Sequence, residues 1–264
     1  MTRVETGPGW ELRLGRWQSV LADVTADALV TDLPYSERTH AAYDNSANEG
    51  FGRDREGTYA KRVKAGLVGG RREIDYAPLT REDLAEAVAH WSPRISGWTC
   101  WQTSHDLTPD YEAKLTAQGR YVFAPLPCVI RGMTVRLVGD GPSSESVSLV
   151  VARPRTSAMS KWGTLPGHYY GPSERCIVVG GKPLWLMRAI IRDYTRPGDL
   201  VVDPCAGGGT TLLAAVMEGR RAIGAEMDEK TFEKAVARLR KGYSAPLPFT
   251  EQPRMEQIAL LGES

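Results

Sequence analysis

The sequence has few of the residues that build metal sites or disulfide frameworks. Its 4 cysteines and 4 histidines are scattered through 264 residues, and no two cysteines have CxxC spacing. This distribution predicts reduced, structural cysteines and no metal site. A long apolar run and a basic-then-apolar start are also missing. We therefore expect a soluble cytoplasmic protein with neither a membrane span nor a secretory signal.

An excess of charge of either sign is missing as well. The chain has 33 Lys and Arg against 32 Asp and Glu, a net charge of +1. A nucleic-acid surface would therefore depend on local segregation of charge rather than on its total. Such a segregated stretch runs from Arg53 to Arg72, where the basic residues Arg53, Arg55, Lys61, Arg62, Lys64, Arg71 and Arg72 outnumber Asp54 and Glu56.

The periodicity of the chain predicts an α/β domain. Residues 10–32 read as strand, helix and strand. Thr80 with Asp83 predicts a capping box at the start of a helix, MTVRLV (133–138) reads as a strand, and Asp228 is the predicted cap of the last helix. From Pro183 onward helices alternate with strands again. Two aperiodic stretches, 37–79 and 153–181, are expected to be excursions from the core, and 244–264 a C-terminal tail. The expected organisation is one domain over residues 1–243, with its core in 1–36, 80–152 and 182–243.

A glycine loop indicates a ligand site. VVDPCAGGGTT (201–211) follows a predicted strand and opens a helix, where glycines allow close backbone approach and free N–H groups attract negative charge. It lacks the patterns of a P-loop and of GxGxxG. Glu226 ends the next predicted strand about 20 residues later, where an acid can accept hydrogen bonds from ribose hydroxyls. The combination favours S-adenosylmethionine, with its amino acid end at the loop and Asp203.

Four segments carry a family resemblance. In chain order they are VTDLPY (30–35), GGKPLWLM (180–187), DPCAGGGTT (203–211) and GAEMD (224–228). Together they resemble the DNA amino-methyltransferases that make N6-methyladenine or N4-methylcytosine, where the segments read approximately DPPY or SPPY, KPxxL, DPFxGSGTT and GIExD. The order, with the catalytic tetrapeptide first, resembles the circularly arranged beta subgroup. The resemblance implies a Rossmann-like methyltransferase fold, with a mostly parallel twisted sheet flanked by helices and the two excursions inserted for target recognition.

The resemblance assigns catalysis to Asp32, Leu33, Pro34 and Tyr35. The Asp32 carboxylate and the Leu33 carbonyl would accept the two N–H groups of a flipped base, so that the nitrogen lone pair points at the sulfonium methyl. Tyr35 would stack on that base, and Pro34 would stiffen the turn. Leu33 stands where the family commonly has proline. Asp32 in the first position resembles the adenine-modifying branch.

The same resemblance predicts the residues that bind S-adenosylmethionine. Gly15 is followed by Arg16 where the family commonly has an acid, so we expect Trp17 or Arg16 to cover the adenine of the cofactor by stacking, unless Trp17 packs on its own helix. The predicted cofactor residues are Trp17, Lys182, Pro183, Asp203, Cys205, Ala206, Gly207, Gly209, Thr210, Thr211, Glu226 and Met227.

Double-stranded DNA is the partner that the resemblance implies, together with a homodimer. The chain resembles stand-alone or phage-borne modification enzymes more than restriction-system partners. Basic side chains would contact phosphates, and aromatic residues of the second excursion would contact bases. The predicted DNA-binding residues are Arg53, Lys61, Arg62, Arg71, Lys161 and Tyr169.

Other activities remain open. They are N4-cytosine methylation, methylation of an amine in RNA or of a protein amide, and cofactor binding without catalysis. The RNA and protein enzymes of the broader family typically begin the tetrapeptide with Asn, which Asp32 disfavours. A cysteine nucleophile for cytosine C5 is also disfavoured, because Cys205 lies inside the cofactor loop and Cys128 precedes that loop.

Overall fold

The computed structural model describes residues 3–38, 76–132, 145–155 and 162–242. The strands within these ranges are β1 (Val4–Gly7), β2 (Trp10–Leu14), β3 (Ala28–Asp32), β4 (Thr99–Thr103), β5 (Arg120–Val122), β6 (Leu126–Arg131), β7 (Ser146–Pro154), β8 (Tyr169–Pro172), β9 (Leu200–Asp203) and β10 (Arg221–Glu226). The helices are α1 (Trp17–Val20), α2 (Arg81–Trp91), α3 (Thr108–Ala117), α4 (Leu184–Tyr194), α5 (Thr210–Met217) and α6 (Glu229–Lys241). In these described ranges no helix is long and apolar enough to span a bilayer, and no cluster of His, Cys, Asp or Glu could hold a metal ion.

One sheet joins these strands in the order β1-β2-β10-β9-β3-β4-β7-β6-β8, with β5 also on β7. Its centre, from β2 through β10, β9 and β3 to β4, is parallel throughout. Strand β3, from the start of the chain, thus lies beside β9, from its end. Because the carboxyl ends of parallel strands meet at one edge of a sheet, the residues that follow these five strands lie close together.

Both faces of the parallel centre are covered by helices. Successive residues of β9 point to opposite sides, so Val201 joins the core cluster that includes side chains of α4, α5 and α6, and Val202 joins the one with α1, α2 and α3. Cys100 and Trp101 of β4 divide in the same way. Burial on both faces explains why β3 (ALVTD) and β9 (LVVD) are short apolar runs rather than alternating ones.

The helix boundaries follow local chemistry that the sequence predicted. Thr80 and Asp83 form a capping box at the start of α2, with the Asp83 N–H donating to the Thr80 hydroxyl over 3.1 Å. Asp228 caps α6 by accepting from the Thr231 N–H at 2.7 Å. Both caps confirm the sequence prediction.

The sheet is mixed outside its parallel centre, because β7 runs antiparallel to β4, β5 and β6. Within the stretch expected as the second excursion, Tyr169–Pro172 forms β8 and pairs with β6. A four-residue strand that contains Gly and Pro has too few apolar residues for periodicity to reveal it. Most of the first excursion, the predicted strand at 133–138 and the tail at 244–264 lie outside the described residues.

Candidate active site

A cavity of about 930 Å³ opens at the carboxyl edge of the parallel strands. Its wall is formed by residues that follow β2, β3, β9 and β10, and its rim by residues 76–79 and 177–182. The catalytic and cofactor segments predicted from opposite ends of the chain therefore share one cavity. The predicted residues on its wall are Trp17, Asp32, Leu33, Pro34, Tyr35, Lys182, Asp203, Cys205, Ala206, Gly207, Thr210, Thr211, Glu226 and Met227.

The glycine loop turns sharply between β9 and α5. Gly207 and Gly209 have φ values of 50° and 71°, in the left-handed region that favours glycine. The Ala206 N–H donates to the Ala225 carbonyl of β10 at 2.8 Å, which fixes the loop against the neighbouring strand. Gly209 is the N-cap of α5 and is buried, and it is absent from the cavity wall. Thr210 and Thr211, the first residues of α5, line the cavity, so the loop brings the N-terminal end of this helix to the cavity wall.

The buried side chain of Asp203 links the glycine loop to strand β3 by hydrogen bonds. Its side chain is almost wholly buried, and Oδ1 accepts from the Thr31 hydroxyl at 2.8 Å and from the Cys205 N–H at 3.1 Å. Burial raises the pKa of Asp203 to about 6, although bonds from Thr211, Thr31 and Cys205 act in the opposite direction. Its protonation therefore changes close to neutral pH.

Glu226 ends β10 beside the loop. Its carboxylate accepts from the Asp228 N–H at 2.8 Å, and burial raises its pKa. The backbone N–H groups of Asp228, Met227 and Gly207 lower that pKa in part, which places the carboxylate next to the loop. Met227 is 63% exposed at the rim. An acid on the cavity wall at the end of the strand next to the glycine loop is the arrangement predicted from the sequence.

The residues after β2 complete this end of the cavity. The Gly15 N–H donates to the Glu226 carbonyl at 2.9 Å. The Trp17 ring packs 4.9 Å from the ring of His90 and 5.8 Å from that of Trp91, and it also lines the cavity. Arg16 is exposed and lines the cavity too. Trp17 thus packs against α2 and also forms part of the wall, and its stacking on the cofactor stays a prediction.

The tetrapeptide at the other end is held by its neighbours on both sides. Leu33 is 3% exposed and belongs to the core cluster of α1, α2 and α3. The Tyr35 carbonyl accepts from the Leu79 N–H at 2.9 Å. The Ser36 hydroxyl donates to Asp106 Oδ2 at 2.7 Å, in the short turn after β4. Packing of Leu33 and these two bonds hold a tetrapeptide that has one proline.

Asp32 forms an ion pair with Lys182 that the sequence did not predict. Lys182 Nζ donates to Asp32 Oδ2, donates to the Gly180 carbonyl at 2.9 Å and lies 4.9 Å from the centre of the Tyr35 ring. Burial raises the pKa of Asp32, and the Lys182 ammonium lowers it in part. Asp32 Oδ1 is buried and has no hydrogen-bond partner among the described residues. Pro183, the N-cap residue of α4, is buried and lies off the cavity wall.

Of the predicted DNA-binding residues, Tyr169 requires a correction. It is 5% exposed in the core, and its hydroxyl donates to Asp193 Oδ2 at 2.7 Å, so it cannot reach a DNA base from this position. Its neighbour Tyr170 is 61% exposed, because successive residues of β8 alternate between the core and solvent. The other five, Arg53, Lys61, Arg62, Arg71 and Lys161, lie outside the described residues.

Two features of the site had no signal in the sequence. The rim residues Tyr76 and Ile177 lie in aperiodic stretches, and the Ser36–Asp106 bond joins residues that no motif connects.

Cys128 is buried in the sheet core and is absent from the cavity wall, which removes it as a nucleophile for this site. All four cysteines are free thiols.

Sequence comparison matches residues 177–237 to the N6/N4 family model described as DNA methylase. The chain is 40% identical over 73 residues to the putative methylase YubD of Escherichia coli and 40% identical over 58 residues to the DNA adenine methyltransferase YhdJ of the same organism. These matches cover 28% and 22% of this chain and span only 29% and 22% of the relatives' own length. The family match confirms the resemblance for the three segments that it contains, GGKPLWLM, DPCAGGGTT and GAEMD, whereas VTDLPY (30–35) lies outside it.

Comparison with solved structures extends over most of the chain. The complex of M1.HpyAVI with SAM matches at a TM-score of 0.63 and 19% identity, covering 87% of this chain and 99% of that one. The cytosine-N4-specific PvuII DNA methyltransferase matches at 0.57 and 15% identity, covering 88% and 86%. The fold is that of the S-adenosylmethionine-dependent DNA methyltransferases, as predicted.

Proposed function

We propose, on the premise that the chain is a member of the N6-adenine and N4-cytosine DNA amino-methyltransferase family, that it methylates an exocyclic amino nitrogen of a DNA base. The observation that carries this proposal is the shared cavity. Asp32 and its tetrapeptide end β3, the glycine loop follows β9, and these adjacent parallel strands bring both to one wall. N6 of adenine is the proposed target atom.

S-adenosylmethionine is the cofactor, and it supplies an electrophilic methyl group on a sulfonium sulfur. The fit rests on the wall of the cavity: buried Asp203 lies at the loop, Glu226 ends the next strand, and Gly207 lies between them without a side chain. Glu226 would accept from the ribose hydroxyls, and Asp203 would bind the positively charged amino group. Trp17 and Met227 would cover the adenine ring.

The catalytic step follows from the geometry around Asp32. Asp32 Oδ1, which has no hydrogen-bond partner among the described residues, and the Leu33 carbonyl would accept the two amino N–H groups, so that the nitrogen lone pair is drawn out of the ring. S-adenosylmethionine bound at the glycine loop would supply the methyl group to this nitrogen, with the carbon–sulfur bond broken as the nitrogen–carbon bond forms and its electron pair left on sulfur. The nitrogen then releases one proton to Asp32 or to water. No covalent bond to the enzyme is required.

Adenine is favoured over cytosine by the first residue of the tetrapeptide. Asp32 is the residue of the adenine-modifying branch, and one of the similar relatives, YhdJ, is a DNA adenine methyltransferase. The likeness to PvuII methyltransferase, a cytosine-N4 enzyme, keeps cytosine as the alternative that the assay must separate. A flipped base of either kind could present its amino group to Asp32.

Double-stranded DNA is the proposed substrate, read by parts of the chain outside the sheet. Residues 37–79 and 153–181 are the proposed recognition regions of a single methyltransferase domain over 1–243, and 244–264 its tail. The basic residues Arg53, Lys61, Arg62, Arg71 and Lys161 in these regions would contact phosphates. Exposed Tyr170 replaces Tyr169 as the aromatic candidate for a base contact.

The test is direct detection of the modified nucleoside. The purified protein is incubated with methyl-labelled S-adenosylmethionine and with duplex DNA, RNA or protein, after which the DNA is digested and its nucleosides are separated. We expect label in N6-methyladenine. Label in N4-methylcytosine would correct the base, and label in RNA or protein alone would overturn the proposal.

The matched control is Asp32→Ala, which removes the amine acceptor and leaves the glycine loop unchanged. We expect transfer to fall by at least about 10³-fold, because loss of a preorganised hydrogen-bond acceptor at the reacting atom typically costs 10²- to 10³-fold and positioning is lost with it. Cofactor binding, measured by calorimetry, should persist. If binding disappears as well, Asp32 has a structural role instead.

A further inference from the structure

We propose that Lys182 is a positioning residue that holds the Asp32 carboxylate through Oδ2 and so leaves Oδ1 to accept the amino group of the substrate. This inference rests on the proposed function and deepens it. The residue lies in the KPLWL segment, which the family resemblance places near the methionine end of the cofactor. The contacts of its ammonium instead point to the catalytic tetrapeptide.

The ammonium of Lys182 is committed to the protein. A lysine has three N–H donors. One meets Asp32 Oδ2, another meets the Gly180 carbonyl at 2.9 Å, and the Tyr35 ring centre lies 4.9 Å away. The side chain is only 6% exposed. Its donors are therefore used on the tetrapeptide and on its own loop, which is the arrangement of a support rather than of a ligand-binding cation.

The loop that carries Lys182 is itself fixed. The Cys176 thiol donates to the Gly181 carbonyl at 2.8 Å, and the next residue, Pro183, is the N-cap of α4. The ring of Pro183 restricts the backbone on both sides of the peptide that joins it to Lys182. A lysine held in this way can fix its partner without a further loss of conformational freedom when substrate binds.

The second carboxylate oxygen of Asp32, Oδ1, indicates which kind of ligand group the Asp32–Lys182 pair would bind. Oδ1 is buried, lies on a residue of the cavity wall and has no hydrogen-bond partner among the described residues. Buried carboxylate oxygens are nearly always hydrogen-bonded, so an orphaned one next to a cavity indicates that a donor arrives with the ligand. An exocyclic amino group is such a donor. The bond from Lys182 to Oδ2 favours one orientation of the carboxylate, in which Oδ1 has no hydrogen-bond partner among the described residues.

Among the described titratable groups that face Asp32, Lys182 is the one with a positive charge. Burial favours the neutral acid, and the Lys182 ammonium is the largest influence in the opposite direction. Removing the ammonium would therefore raise the pKa of Asp32 further. The groups that face it are Tyr35 on its own segment, Tyr111 of α3, Cys176 and Lys182 before α4, and Asp203 and Cys205 after β9.

The experiment compares Lys182→Met, which keeps the length of the side chain but removes its charge, with Lys182→Arg, which keeps the charge. Lys114→Met on the exposed side of α3 is the control for loss of a lysine elsewhere. Turnover and KM for duplex DNA are measured as a function of pH, and the Kd for S-adenosylmethionine is measured by calorimetry. Circular dichroism identifies the pH range in which each variant is folded.

We expect Lys182→Met to lower kcat by about 100-fold, the size of effect that slight misplacement of a reacting group produces, with the cofactor Kd unchanged. The acid limb of its kcat profile should move to higher pH, because Asp32 must be ionised to accept the amino N–H as a carboxylate and now protonates more easily. Lys182→Arg should restore the position of that limb. Lys114→Met should match the wild type.

Two results would overturn the inference. One is an unchanged kcat and pH profile in Lys182→Met. The other is a weaker cofactor Kd with the acid limb in place, which would make Lys182 a cofactor ligand. If Lys182→Met fails to fold because Asp32 is left buried and unpaired, the double variant Asp32→Asn with Lys182→Met removes both charges. Its residual rate should equal that of Asp32→Asn alone, since Lys182 acts only through Asp32.

An infrared titration separates this inference from the proposed function. The carboxyl band of Asp32 is assigned by difference from Asp32→Asn, and its midpoint is compared in the wild type and in Lys182→Met. An upward shift without any transfer to DNA would keep the coupling of Lys182 to Asp32 and refute the proposed reaction. If the wild type transfers methyl groups to DNA but the midpoint of the Asp32 band is the same in Lys182→Met, the role of Lys182 is refuted and the proposed function is not.

Discussion

The proposed cofactor end and the proposed catalytic end of the cavity are held in place by different means. At the cofactor end the backbone does the shaping, through Gly207, Gly209 and the hydrogen bonds that Asp203 accepts. At the catalytic end side chains from distant parts of the sequence do it, with Leu33 in the core and Lys182 on Asp32. The restraints at the cofactor end come mainly from residues that are close together in the sequence. Those at the catalytic end come from residues that meet only in the folded protein.

This difference agrees with the extent of the family match. The match covers residues 177–237, which contain the glycine loop but not the tetrapeptide. A loop that needs particular backbone angles tolerates few residue types, so it keeps a readable pattern. The tetrapeptide tolerates Leu33 because its rigidity comes from packing, which many apolar side chains can supply.

Truncating Leu33 is the strongest way to break the catalytic end alone. Leu33→Ala should destabilise the fold by about 2–5 kcal/mol, the usual cost of removing a buried leucine side chain. In the temperature range where the variant is folded, kcat should fall by about 100-fold, because the carbonyl of residue 33 loses its position. The cofactor Kd should not change. Thermal unfolding, kcat and calorimetry measure the three effects.

Leu33→Met is the matched control for that variant. It conserves volume, and such a change usually costs less than about 1.5 kcal/mol. Leu33→Pro restores the residue that the family commonly has. This variant tests whether a proline ring can replace the packing of the Leu33 side chain in holding the tetrapeptide. If Leu33→Ala weakens cofactor binding as much as it slows transfer, the two ends are coupled and the comparison between them fails.

The extent of sequence prediction follows the same division. Periodicity and caps predicted α2, α4, α5, α6, β9 and β10, because each pattern is local. The pairing of Lys182 with Asp32 joins residues that are 150 positions apart, and neither motif contains a sign of the other. Tyr169 was wrongly predicted to be on a DNA-reading surface, because strand β8 is too short for alternation to reveal its buried side.

At the cofactor end, Asp203→Asn tests charge without changing shape. An asparagine can still accept from Thr31 and Cys205 through its carbonyl oxygen. We expect the Kd for S-adenosylmethionine to rise by about 10-fold or somewhat more, since a hydrogen bond between charged groups contributes about 1.5–3 kcal/mol. Transfer at saturating cofactor should stay near the wild-type rate, because Asp32 and Leu33 are untouched.

The pH dependence gives the same prediction a second measurement. With a pKa of about 6, Asp203 becomes neutral as pH falls through that value, so cofactor affinity of the wild type should weaken there and that of Asp203→Asn should not. Because this folded-state pKa lies above the ordinary value of 3.8, the folded protein binds the proton more tightly than the unfolded chain. Stability contributed by this group is therefore lost as pH rises between 3.8 and about 6. An identical pH profile in both proteins would remove Asp203 from the binding site.

The smallest expected effect belongs to Gly209, which the sequence assigned to cofactor binding and the structure places behind the wall. Its φ is 71°, and an added Cβ would lie 3.4 Å from Ala235 and Leu239 side-chain atoms, an ordinary contact. Gly209→Ala should therefore cost only about 1–2 kcal/mol of backbone strain, measured by denaturant unfolding. Gly219→Ala is the matched control, with a φ of 77° and nothing within 4 Å of the added atom. Equal losses with cofactor Kd unchanged would make Gly209 a backbone hinge of the loop, whereas a Kd raised in Gly209→Ala alone would return it to the binding site.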